Sequence, residues 1–322
     1  MTFSLLSRQH YPEGASHLLP LLELIIPGID MNDPLKSFAS LMFISHVAMC
    51  VPFWDLTEIS RNTMDIDETE IDQIIRIGTS GFEAWILKFL ERVFVMFENL
   101  PQQYGHHSNN STMESSLIRL LLHTCEVTFS QLSPSLHNLV IRKIVEFARS
   151  NVIPNATKAI GFLAAAACGS ENEKALPLFI TLCKEKILEE LEHGASSVHS
   201  SSFSTTHPFG FHSMSDASLH WYQSILYHVV FLGGIDVYHH RQDLLKVIRA
   251  MTAKCHTRRG YKWTFKLIQN ILTSLTGVYP LENRCVNSAQ WNDPGNCERL
   301  SIFFFFSEEV YFAYCQKAIF VI

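Results

Sequence analysis

The stretch FEAWILKFLERVFVMFENL, residues 82–100, decides the fold. Phe82, Ile86, Phe89, Val93, Met96 and Leu100 recur at steps of 4, 3, 4, 3 and 4, which sets all six side chains on one face of an α-helix. Trp85, Leu90, Phe94 and Phe97 widen that face well beyond a single stripe. A helix that is apolar over so much of its circumference has to be covered from several sides, so its neighbours are helices packed around it. Stacked helices of this kind form a binding scaffold more often than an enzyme.

The rest of the chain repeats the theme. Leu18 to Ile26 is a short apolar block closed by Pro27-Gly28. Asn32-Asp33-Pro34 is a helix start, a capping side chain followed by proline at the first helical position, and the helix it opens should run to about Val51. Further helices are expected near 79–100, 113–130, from Pro134 with Leu136, Val140, Ile144 and Phe147 buried, from Pro154 to about Gly169, at 172–192 with Gly194 as C-cap, and at 215–232, 236–255 and 259–276. Pro177 leaves the first turn of the 172–192 helix uncertain. Residues 52–78 read as an acidic insertion, His106 to Ser115 as a surface loop, and 194–213 as a mobile Ser/His-rich loop suited to phosphorylation. Counting pair starts near 134, 172, 214 and 259 gives intervals of about 38–45 residues, the period of HEAT or armadillo repeats. The expected fold is all-α: a HEAT/armadillo-like α-solenoid of stacked antiparallel helix pairs over 1–280, with a divergent C-terminal segment at 281–322.

Composition narrows the function. The chain has 322 residues, 47% of them hydrophobic and 17% charged, against about 25% charged in an average soluble protein. That deficit points to surface covered by other protein. A net charge of -6 argues against general nucleic-acid binding. The eight cysteines form no C-x-x-C pair and read as reduced, mostly buried thiols. MTFSLLSRQHYPEG carries no secretory signal. Two uncharged stretches, Ser37–Trp54 and Ala217–Ile235, approach membrane-spanning length, but His46, Pro52, His220, Gln223, Ser224 and His228 make buried helices of the array the better reading.

Catalytic patterns are missing. No H-E-x-x-H and no zinc-finger spacing occurs among the sixteen histidines. The acidic run from Asp65 to Asp72 has Glu70 where a calcium loop needs glycine and Arg76 where it needs glutamate. Nucleophile elbows, phosphate loops and dinucleotide turns are absent. One charge feature remains: Arg241, Lys246, Arg249, Lys254, Arg258, Arg259, Lys262 and Lys266, with Asp243 as the sole acid among them. Lys246 and Arg249 lie one turn apart, and Arg259, Lys262 and Lys266 share a face. This ribbon is either a solvated face or a site for a phosphate-bearing ligand or an acidic partner.

Leu18-Leu19-Pro20 through Pro27-Gly28-Ile29-Asp30-Met31-Asn32-Asp33, the 82–100 stretch, Lys254-Cys255 through Arg259-Gly260-Tyr261 to Val278-Tyr279-Pro280, Pro294-Gly295, and Ser307-Glu308-Glu309-Val310 with Phe312-Ala313 resemble, in collinear order, the 200-kDa proteasome activator family. The resemblance implies a piece of the N-terminal half of a HEAT-repeat dome that caps the 20S proteasome core and opens its gate without ATP. It implies a role in degrading peptides and acetylated histones, in nucleus and cytoplasm, with links to DNA repair and spermatogenesis. It implies inositol phosphates as structural ligands, for which the basic ribbon is the candidate here, and no catalytic residue, metal, nucleic-acid or membrane partner. The family's gate-opening tail is hydrophobic–tyrosine–X, whereas this chain ends Phe320-Val321-Ile322, so the tail is expected to be lacking. The acetyl-lysine-reading region lies outside the matched stretch, and after Trp291 the match is compressed around the run Phe303–Phe306. A HEAT-type adaptor or transport scaffold unrelated to the proteasome, and an enzyme whose site residues meet only in space, are the alternatives.

Overall fold

The computed structural model describes residues 17–51, 53, 81–100, 111–170, 172–197, 212–234 and 236–278. The acidic insertion apart from Phe53, the Ser/His-rich stretch 198–211 and the C-terminal segment 281–322 lie outside the described residues. Among the described residues every regular element is helical, and the one ladder-type contact is an isolated bridge between Phe53 and Leu132. The fold is all-α, of the HEAT-type solenoid class. Contacts divide the chain into two compact units, Met1–Phe147 and Ala148–Ile322.

The first unit holds α1 (Leu18–Ile25), a 3-10 turn (Ile26–Gly28), α2 (Pro34–Cys50), α3 (Phe82–Glu98), α4 (Ser111–Phe129) and most of α5 (Pro134–Ser150). The start of α2 is built as its sequence requires. Asp33 accepts from the Lys36 N–H at 3.1 Å, and Pro34 occupies the first helical position. Ser37 fixes the preceding turn: its hydroxyl donates to the Asp30 carbonyl at 2.6 Å and accepts from the Asp30 N–H at 2.7 Å. α2 packs on α4 and α1 on α3. Phe82, Ile86, Phe89, Val93 and Met96 are buried as their spacing requires, and Trp85, Leu90 and Phe97 join them. Trp85 stacks on Phe89 at 5.5 Å and meets Phe53 at 5.5 Å, while Phe94 stacks on Phe147 at 4.0 Å. Burying one such ring stabilises the unit by about 1.5–3 kcal/mol. α4 begins earlier than expected. Ser111 and Thr112 are already helical, within the stretch expected as a surface loop.

The second unit holds a 3-10 turn (Pro154–Ala156), α6 (Thr157–Ser170), α7 (Asn172–Glu192), α8 (His212–Leu232), α9 (Asp236–His239), α10 (Arg241–Lys254) and α11 (Arg258–Val278). α8 is central: it packs on α6, α7 and α11. Its widest contact is with α6, whose buried run Ala164–Ala167 brings the two backbones close. A Cβ on Gly161 would run into the His228 ring, so that position has room only for glycine. α7 ends in a Schellman motif, with Gly194 at φ 86, Gly194 N–H on the Leu191 carbonyl and Ala195 N–H on the Glu190 carbonyl. Pro177 is accommodated inside α7.

Three expectations are corrected here. Helices α8 and α11 do not start pairs. α7 packs on both α8 and α10, α8 on α6 and α11, and α10 on α11. The pairs are therefore α7/α8 and α10/α11, with α6, α8 and α11 in one row and α7 and α10 in the other. Similar intervals between the expected pair starts had hidden the long α7–α8 connection. Next, the single helix expected at 236–255 is two, broken at His240. Arg241 lies over the Tyr238 ring at 4.7 Å and donates to the Tyr238 carbonyl at 3.3 Å, satisfying a group that a continuous helix would have used internally. Finally, the loop expected from Gly194 does not begin on the surface. Ser196 is 0% exposed and has φ 61. Its hydroxyl meets Thr257 Oγ1 at 2.6 Å, and its carbonyl accepts from the His256 N–H at 2.8 Å.

Candidate functional site

The basic side chains singled out in the sequence sit on α10 and α11, and the apolar pattern of each helix explains their direction. α10 is anchored through Leu244, Val247, Ile248 and Met251, and α11 through Leu267, Ile268 and Ile271. Lys246, Arg249, Lys254, Arg258, Arg259 and Lys262 are exposed, whereas Arg241 and Lys266 are half-buried. Arg241 is engaged with Tyr238 as described. Asp243, the sole acid within the ribbon, forms an ion pair at 3.0 Å with Lys184 of α7. Its charge is thereby directed at the neighbouring helix.

The turn between the two helices is pinned to Ser196. Thr257 caps α11 by accepting from the Gly260 N–H at 3.1 Å, and Gly260 lets the first turn approach Ser196 closely. The first turns of α11 then carry Arg258, Arg259 and Lys262 with no acid in the first turn itself, at the end where the helix dipole is already positive; Asp216 of α8 stands nearby, accepting from the Ser196 N–H at 2.9 Å. This arrangement is unfavourable for the isolated helix and favourable for an anion.

Lys266 is placed differently. Its ammonium lies 5.0 Å from the Trp263 ring centre and 5.8 Å from that of Tyr227 on α8. Burial, followed by the like charges of Lys262 and Lys158, pushes its pKa below the ordinary lysine value. Lys158 is a residue the sequence reading missed. It is on α6, four residues before Phe162, whose ring it overlies at 5.7 Å. The i,i+4 pairing was visible in the sequence; that the charge would act on Lys266 was not, because it depends on α6, α8 and α11 forming one row.

Along that row, α8 buries polar side chains that the apolar pattern had left ambiguous. His220 Nδ1 meets Gln223 Oε1 at 2.7 Å, His228 Nδ1 donates to the Ser224 carbonyl at 2.7 Å, and the Trp221 indole N–H donates to the Ala148 carbonyl at 3.0 Å. Burial lowers the pKa of both histidines to about 4, and in each case a nearby cation, Arg259 for His220 and Lys158 for His228, adds to the effect. Both are therefore neutral near pH 7.

Among the described residues no three His, Cys, Asp or Glu side chains converge as metal ligands. Cys125, Cys168 and Cys183 are buried free thiols whose pKa is raised by burial, away from the reactive thiolate. Among the described residues no helix is long and apolar enough to cross a membrane.

Comparison with known proteins places this helical array. A family model described as "Proteasome activator complex subunit 4, mid HEAT repeats region" matches residues 1–301. The chain is 25% identical to human proteasome activator complex subunit 4 over 94% of its own length and 17% of the relative's. It is also 25% identical to proteasome activator complex subunit 4B of Danio rerio, over 88% of this chain and 15% of that one. A third relative, proteasome activator subunit 4 of Arabidopsis thaliana, is 26% identical over 46% of this chain and 8% of its own. The chain thus spans about one sixth of the length of the curated animal relatives it matches.

Proposed function

Since the chain belongs to the proteasome activator complex subunit 4 family, in its mid HEAT-repeat region, we propose that it acts as a wall segment of a proteasome-activating scaffold, contributing contact surface and no bond-breaking chemistry. The observation that carries this reading is the family match over residues 1–301, laid on an all-helical fold among the described residues. The same match favours this reading over an adaptor unrelated to the proteasome. Capping of the 20S core, ATP-independent gate opening, and degradation of peptides and acetylated histones in nucleus and cytoplasm are activities of the whole assembly in this reading. This segment's part is to hold the wall in shape.

The basic ribbon is the candidate ligand surface on that wall. Its exposed cations and the tied-up Asp243 support a phosphate-bearing ligand, with inositol phosphates as the chemical class. Two experiments test the proposal. A family member from which the matching mid HEAT-repeat region has been deleted should retain the full chain in a pull-down; absence of retention overturns the wall-segment reading. Reversing the charges of Lys246, Arg249, Arg259 and Lys262 should weaken binding of inositol hexakisphosphate in calorimetry by about tenfold or more, and unchanged binding removes the ligand assignment.

A further inference from the structure

A second surface lies where α6, α8 and α11 run side by side. Phe162 of α6 touches the His228 ring of α8 at 4.4 Å, His228 meets Tyr227 edge-on at 4.9 Å, and Tyr227 meets Trp263 of α11 edge-on at 6.0 Å. The rings form an unbroken series across three helices, with Lys158 over one end and Lys266 over the other. Phe162 is 41% exposed, and Phe231, one turn beyond Tyr227 on α8, is 54% exposed.

The cations of this face differ from four lysines elsewhere. Lys88, Lys143, Lys184 and Lys186 each hold a carboxylate at 2.8–3.0 Å. Lys158, Lys262 and Lys266 hold none among the described residues, and the charges acting on Lys266 are like charges. A partly desolvated cation flanked by two others gains more than a solvated one when an anion arrives.

We propose that this face docks an acidic linear polypeptide segment bearing a large apolar side chain, its carboxylates meeting Lys158, Lys262 and Lys266 and its apolar side chain lying against Phe162 and Phe231. Charge complementarity selects the acidic partner, and the bare ring edges select the apolar anchor. The dimensions select a chain over a small anion: three neighbouring helices at about 8–10 Å spacing span about 16–20 Å, the length of about five or six extended residues. The ring geometry disfavours single-stranded nucleic acid. Bases need open ring faces to stack on, whereas these rings interlock at steep angles and carry ammonium groups on their faces. The face does not depend on which assembly the chain joins.

The test uses the full chain and a fluorescein-labelled peptide in which Glu and Asp alternate with Phe, followed by fluorescence anisotropy. Saturable binding is expected. It should weaken about tenfold in Lys158→Glu and about fivefold in Phe231→Ala. Both positions are exposed, and unchanged thermal unfolding shows that the fold is intact. A matched peptide with Ala for Phe should bind several-fold more weakly, and one with Lys for the acids should not bind. No saturable binding, indifference to both substitutions, equal affinity for the Ala peptide, or tighter binding of an oligothymidylate probe would each overturn the proposal.

Discussion

Helices α3 and α8 bury comparable amounts of large side chain by different means. α3 has a wide apolar sector, and aromatic contacts with Phe53 and Phe147 complete it. α8 buries Trp221, Ile225, Leu226, Val229 and Val230 together with His220, Gln223 and Ser224. The difference follows from the number of neighbours. A helix covered on three sides, as α8 is by α6, α7 and α11, has no polar face left to give to water. Its polar side chains turn to partners inside, His220 Nδ1 to Gln223 Oε1 and His228 Nδ1 to the Ser224 carbonyl, while His220 Nε2 and Gln223 Nε2 are buried without one. Periodicity announces the first kind of helix and blurs the second.

The contrast predicts different failures. The largest effect is expected in α3: Trp85→Ala removes a fully buried ring from the Phe53–Phe82–Phe89 cluster and should destabilise the chain by about 3–5 kcal/mol, read as a lowered urea midpoint. A near-neutral result would mean that the cluster collapses to fill the space and is less rigid than its stacking geometry implies.

In α8 the weak point is acid. The histidine pKa values of about 4 in the fold lie below about 6.5 in the unfolded chain, so the unfolded state takes up protons first as pH falls. The stability they contribute is therefore present above about pH 6.5 and is lost between about 6.5 and 4, on the order of 3 kcal/mol per histidine. The groups facing them are Lys158 and Lys266 for His228, and Arg259 and Asp216 for His220. His228→Asn keeps a donor for the Ser224 carbonyl but cannot titrate, so the drop in unfolding midpoint between pH 6.5 and 4 should shrink by about half. An unchanged pH profile would show that His228 is not held neutral by burial.

A smaller effect is expected at the seam between α6 and α8. Gly161→Ala puts a methyl group into the His228 ring and should cost about 1–3 kcal/mol, since neither helix backbone can retreat without opening the alanine-lined contact. The double variant with His228→Ala should recover part of that loss; if it does not, the two positions are not in the contact the structure shows.

How much of this was legible in the sequence depends on the range of the forces involved. The boundaries of α2, α3 and α5 came within about three residues, because a capping Asp33, Pro34 or Pro134 and an apolar period act locally. The break at His240 was not legible, because no helix breaker stands there and the decisive contact is an arginine folding back on a tyrosine. The pairing frame was misread because helix starts carry no label for which row they join. The burial of Ser196 is a tertiary outcome: only once α11 has docked does its hydroxyl find Thr257. On the candidate site, the exposed cations of α10 and α11 were readable from the anchoring stripes, but Lys158 was not, since its relation to Lys266 exists only across three helices.

The smallest effect sharpens the same division between local and tertiary causes. The Asp33 carboxylate satisfies one of the N–H groups left open at the start of α2, at an exposed site with no long-range partner. Asp33→Ala should therefore cost about 1 kcal/mol, and Asp33→Asn, which keeps the accepting oxygen, only a fraction of that. Pro34 remains to set the first helical φ, so the helix should still begin at the same residue. If the alanine variant unfolds at the same urea concentration as the parent, the start of α2 is held by Ser37 through its bonds to Asp30 and Gly28. In that case even the most sequence-legible boundary in the molecule is fixed by buried contacts, and the distinction between α3 and α8 becomes one of degree.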